Sequence, residues 1–127
     1  MTLIMAKEEE VKEPMFLDIE TTGLDSNSNK ITCIGALFEG QLFQSAGYEE
    51  RKVFEDFNEW LERTDSVMFA KSTVLVTYNG KSFDMPFISN RAKKLNKEFI
   101  HINYLQKTNH TDLMDASRDN LLDPSGG

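Results

Sequence analysis

Between Met15 and Glu20 the chain alternates, with Met15, Leu17 and Ile19 apolar and Asp18 and Glu20 acidic. Successive side chains of a β-strand point to opposite faces, so this pattern predicts a half-buried strand with two carboxylates together on its other face. Acids held this close repel each other. A bound divalent cation, or a proton shared through one raised pKa, relieves the repulsion, and both are commoner at sites than in packing. Taken alone, the pair also fits an edge strand whose solvent face is acidic. A polar glycine turn follows, Thr21-Thr22-Gly23-Leu24.

The remaining periodicities supply partners for that strand. Ile31 to Phe38 reads as a second strand, Glu39-Gly40 as a two-residue hairpin turn, and Gln41 to Ala46 as a third strand. Phe54, Phe57, Trp60 and Leu61 recur at helical spacing and predict a helix from about Val53 to Arg63. Val74 to Tyr78 is a short strand closed by Asn79-Gly80. Asp84 stands where a helix should begin, as its N-cap, with Pro86 in the first turn, where a missing N–H costs little. Phe87, Ile88, Arg91, Ala92 and Leu95 continue that helix to about Asn96. Three strands, helix, strand, helix is the order of an α/β fold in which an antiparallel meander leads through a crossover to a parallel strand. Residues 1–13 read as a flexible acidic tail and residues 14–127 as one domain.

The Asp18–Leu24 segment matches Asp-x-Glu-Thr-Thr-Gly-Leu, and in that it resembles the first motif of the DEDD 3′–5′ exonucleases of the ribonuclease-H-like superfamily. Thr77 to Ile88 resembles their second motif. Its Tyr78-Asn79-Gly80-x-x-Phe83-Asp84 form is that of predicted exonucleases related to family-B DNA polymerases. The proofreading-subunit branch has one residue fewer between the positions of Asn79 and Asp84. His110-Thr111-Asp112-Leu113-Met114-Asp115 resembles the Asp-Leu element that such proteins carry further along.

The resemblance implies a ribonuclease-H-like fold and a two-metal-ion hydrolysis of phosphodiester bonds, in which paired cations supply an activated water and a counter-charge for the leaving oxygen. Carboxylate oxygens suit Mg²⁺ or Mn²⁺. Asp18 would bridge the two ions, Glu20 would bind the one that activates water, and Asp84 would hold the other. Thr21 and Leu24 match positions that contact the terminal nucleotide, the threonine through sugar or phosphate and the leucine as a wedge against the base. Asn79 matches a substrate position and equally suits the Asn of an Asn-Gly turn. The family's third motif reads Tyr-x-x-x-Asp or His-x-x-x-x-Asp. His110 and Asp115 have the second spacing but follow soon after Asp84, and the same residues fit the Asp-Leu element. The fourth carboxylate is therefore Asp115 with His110, or Asp112, or lies beyond this chain. The expectation is a C-terminally truncated metal-dependent exonuclease domain acting on single-stranded 3′ ends of DNA or RNA. The alternative is a non-catalytic nucleic-acid-binding or scaffold module with the same fold.

Composition bears on partners. The net charge of −7 opposes non-specific nucleic-acid binding, which depends on neutralising phosphates, although Lys81, Arg91, Lys93, Lys94 and Lys97 could form a local basic surface. No apolar stretch approaches the roughly 20 residues of a membrane helix, so no membrane partner is expected. A single cysteine, Cys33, excludes an intramolecular disulfide and suits a reducing cytoplasm. Asp25 to Lys30 copies half of an EF-hand calcium loop but fails at Lys30 and Ala36, where that loop needs glycine and glutamate.

Overall fold

A computed structural model of the chain describes residues 12–70 and 72–115. The elements run β1 (Lys12–Thr21), β2 (Ile31–Phe38), β3 (Gln41–Ala46), α1 (Glu50–Ala70), β4 (Ser72–Thr77), α2 (Asp84–Lys94), α3 (Ile100–Leu105) and β5 (Asn109–Asp112). They build one five-stranded sheet in the order β3-β2-β1-β4-β5. The first three strands are antiparallel, β4 lies parallel to β1, and β5 parallel to β4. The meander and crossover read from the sequence are thus present. The first strand begins at Lys12, earlier than Pro14, because Lys12 and Glu13 pair with Ser72 and Thr73. Residues 1–11, most of the expected tail, lie outside the described residues.

Met15, Leu17 and Ile19 of β1 and Ile34, Ala36 and Phe38 of β2 fill one face of the sheet. The hairpin between β2 and β3 turns on Glu39 and Gly40, with φ of 52° and 77°, the doubly left-handed geometry that matches strand twist. Val53, Phe54, Phe57, Trp60 and Leu61 make the buried stripe of α1. Phe43 of β3 meets Phe57 and Trp60 at ring-centroid distances of 5.4 and 5.3 Å. The helix starts before Val53 and runs on to Ala70, past the end of that stripe.

Helix α2 is pinned to the start of α1 by a buried ion pair. Arg91 donates from Nε and Nη2 to the Glu50 carboxylate at 2.9 and 2.8 Å, and from Nη1 to the Ser26 carbonyl at 3.0 Å. Glu50 also accepts the Ile31 N–H at 2.9 Å, so one carboxylate ties together α1, α2 and the entry to β2. Arg91 is therefore no part of a basic surface, and Lys97 is paired with Glu55 at 2.7 Å. The short helix α3 was not expected. Its first N–H groups are satisfied from a distance, by Asn58 Oδ1 on α1, which accepts from His101 and Ile102 at 3.0 and 3.1 Å. Phe16, Leu37 and Leu42 lie exposed away from this core. No helix among the described residues is long and apolar enough to cross a membrane.

Candidate active site

Asp18 projects from the side of β1 opposite Leu17 and Ile19, and is exposed. Its partner across the ladder is Gly35, which places no side chain beside it. Asp84 reaches the same region from the other end of the crossover. It is only 4% exposed, and its carboxyl is pushed up to about 6, first by burial and then by the negative charge of Asp18. Backbone N–H groups of Ile19 and of Asp84 itself offset part of that rise, while Asp112 adds to it. The fold thus brings Asp18 and Asp84 into electrostatic contact. Asp84 is not the N-cap that its position suggested. Phe83 takes that place without a capping side chain, and Asp84 is the first helical residue, with its carboxylate engaged with β1 instead.

Glu20 lies exposed two residues beyond Asp18, just before the register of β1 and β2 shifts at Glu20/Thr21. Such bulges redirect side chains at the edge of a site. Among the described residues no group of three His, Cys, Asp or Glu side chains is gathered closely enough to hold a metal ion, so Asp18, Glu20 and Asp84 do not form a closed ligand set in this structure. The following loop folds on itself. Thr21 Oγ1 donates to the Gly23 carbonyl at 2.7 Å, the Thr22 N–H to the Lys30 carbonyl at 2.9 Å, and the Lys30 N–H to Thr22 Oγ1 at 2.9 Å. Gly23 is packed against Asn29, where a Cβ would fall 2.6 Å from Oδ1. Leu24, at the tip, is 85% exposed.

The second segment is held by Asp112. This buried carboxylate accepts the N–H groups of Asn79 at 2.7 Å, Lys81 at 3.1 Å and Met114 at 3.0 Å, and these bonds keep its pKa low despite burial. Asp112, weighed above as a fourth carboxylate, thus has both oxygens engaged by backbone and anchors the loop that leads to Asp84. Asn79 is left-handed, φ 64°, as Asn tolerates best after glycine. Gly80 lies so close to Thr77 that an added Cβ would clash with its Oγ1. That hydroxyl accepts the Gly80 N–H at 3.1 Å and bonds His110 Nε2 at 2.7 Å. His110 is on β5, tied to Thr77, and Asp115 is exposed past the strand's end. The Thr77 contribution escaped the sequence reading, although a threonine three residues before an Asn-Gly glycine was its visible signal.

Asp18 and Asp84 fit a hard divalent cation by their donor chemistry. They are oxygen ligands, and burial first and the Asp18 charge second hold the Asp84 carboxyl protonated up to about pH 6; a bound cation offsets the second of these costs.

Residues 15–126 match the family model described as the RNase_H superfamily. The chain is 36% identical over 118 aligned residues to the catalytic polypeptide of DNA polymerase epsilon from Schizosaccharomyces pombe, an alignment that takes in 70% of this chain and 5% of that polypeptide. Among solved structures, the family B DNA polymerase of Pyrobaculum calidifontis superposes with a TM-score of 0.64 at 17% identity, covering 84% of this chain and 16% of the polymerase. The E. coli exonuclease I–ssDNA complex in its metal-free form gives 0.61 at 18% identity, covering 91% of this chain and 31% of exonuclease I. At those identities the two structures speak for the fold. This chain spans a small part of each of these proteins.

Proposed function

Since the chain belongs to the RNase H superfamily and has the exonuclease-like form of that fold, we propose that it is a metal-dependent 3′–5′ exonuclease domain acting on single-stranded nucleic-acid ends. The observation that carries this reading is the convergence of Asp18 and Asp84, from a strand and a helix separated by the whole crossover, into one repelling pair. When bound, divalent ions supply the counter-charge and activated water that phosphodiester hydrolysis requires. Asp18 and Asp84 would hold them, with Glu20 on the same strand face as a third donor. Leu24 offers an apolar wedge to a terminal base, being exposed at the loop tip. The Thr21 hydroxyl proton is committed to Gly23, so this group offers acceptor lone pairs, which suits a sugar hydroxyl better than a phosphate oxygen. Asp112 acts as a positioning residue, through its bonds to Asn79 and Lys81.

The test is Mn²⁺-dependent shortening of an end-labelled single strand. Wild type should release mononucleotides from the 3′ end and Asp18→Ala should lose at least a hundredfold in rate, in keeping with the weight of metal positioning in such chemistry. Equal inertness of wild type and variant defeats the reading. A second reading, a nucleic-acid-binding module that does not turn over, draws support from the absence, among the described residues, of three acids gathered closely enough to hold a metal ion. It requires strand binding, without cleavage, that survives Asp18→Ala.

A further inference from the structure

Thr77 closes β4 as the register partner of Asp112 on β5, and both side chains reach the turn that follows. Between them they hold two successive peptide groups. The Asn79–Gly80 peptide donates its N–H to Thr77 Oγ1 at 3.1 Å and accepts the Phe83 N–H on its carbonyl at 2.9 Å. The Gly80–Lys81 peptide donates its N–H to Asp112 Oδ2 at 3.1 Å and accepts the Met85 N–H at 2.8 Å. Phe83 and Met85 are the chain neighbours of Asp84. A peptide group is planar, so fixing its N–H fixes the direction of its carbonyl. The head of α2, and Asp84 with it, is thus set from the sheet through one peptide by Thr77 and through the next by Asp112.

The Thr77 hydroxyl needs its own alignment to do this. It is 3% exposed, accepts from Gly80, and lies 2.7 Å from His110 Nε2. Burial first and the Lys81 charge second lower the His110 pKa, against the opposing pull of Asp112 and Asp115, so the ring is neutral at pH 7 and carries one proton. With that proton on Nε2, the buried Thr77 proton would have no acceptor among the described residues. With it on Nδ1, Thr77 donates to Nε2 and turns a lone pair to Gly80, and every group is satisfied.

We propose that Thr77 is a positioning residue for Asp84, and that His110, held as its Nδ1–H tautomer, keeps the Thr77 hydroxyl aligned. The effect on rate rests on the exonuclease reading; the geometry does not. The test is ¹⁵N NMR of the full chain at pH 7 in EDTA, followed by the Mn²⁺ assay. In wild type, His110 Nε2 should be unprotonated. Thr77→Val should abolish that preference and speed amide exchange at Gly80, Phe83 and Met85 about tenfold, the order expected for a stranded buried donor, while Phe57 and Leu61 in α1 keep their protection. In the assay it should raise the half-saturating Mn²⁺ concentration and lower kcat about tenfold, leaving KM for the strand unchanged. Thr77→Ser, which keeps the hydroxyl, should restore all of these. His110→Phe withdraws the acceptor but leaves Thr77 in place, and should give the same exchange pattern in weaker form; it carries the test if Thr77→Val does not fold. A protonated Nε2 in wild type, unaltered exchange at Phe83 and Met85, or a lowered melting temperature with unmoved Mn²⁺ dependence overturns the proposal. An inert wild type defeats the exonuclease reading instead, and the tautomer and exchange measurements then decide this one alone.

Discussion

Asp84 and Asp112 are both buried, and their surroundings move them in opposite directions. For Asp84 the folded carboxyl titrates near 6, above its ordinary 3.8, so the folded state takes up a proton before the unfolded chain does. Stability therefore increases as pH falls from about 6 towards 4, and declines as pH rises through that window. Asp84→Asn should raise the unfolding free energy at pH 7 by about 1 kcal/mol, allowing for solvent screening beside exposed Asp18, and should flatten this slope in urea melts between pH 4.5 and 7. Asp112 behaves in the reverse sense. Its pKa is held low, so its contribution is present above its ordinary pKa and is lost as pH falls below that value. Asp112→Ala strands three backbone N–H groups and should cost about 2–4 kcal/mol at pH 7, with faster amide exchange at Asn79 and Lys81.

At the level of elements, Glu50 and Arg91 decide how α1 and α2 sit together. Removing one partner leaves the other charge buried, so Arg91→Met should destabilise by about 3–5 kcal/mol in thermal or urea unfolding. This pair was illegible in the sequence, because nothing local marks a glutamate and an arginine on separate helices as partners. Strands β2 and β3 were legible to the residue, since the dense apolar and β-branched run of β2 ends at the Glu39-Gly40 hairpin turn, which sets the register of the more polar β3 against it. Strand β5 was not. Its four residues, Asn-His-Thr-Asp, carry no apolar signal and are extended because β4 offers them a parallel edge. Helix α3 was missed for a similar reason, its starting N–H groups being satisfied by Asn58 on another helix and not by a cap of its own. Of the candidate site, Asp18 and Asp84 were readable from motif spacing. The loop-holding work of Asp112 was not, because a single acid in sequence looks the same whether it faces a ligand or three backbone amides.

Across the whole molecule, the pair of acids should couple ligand binding to stability. Mn²⁺ at a hundred times its dissociation constant should add about 2.7 kcal/mol to the unfolding free energy. EDTA should reverse the gain, and Asp18→Asn should show none in calorimetric melts. Biogenesis is constrained by the same pair. Asp18 belongs to the opening strand, whereas Asp84 arrives only after the β1–β4 pairing of Lys12–Phe16 with Ser72–Val76 has closed the crossover. A nascent chain still on the ribosome, or a fragment clipped within α1, holds the first acid without the second. Any chemistry that needs both acids therefore waits on this non-local pairing, and a chain that has not yet formed it cannot carry that chemistry out.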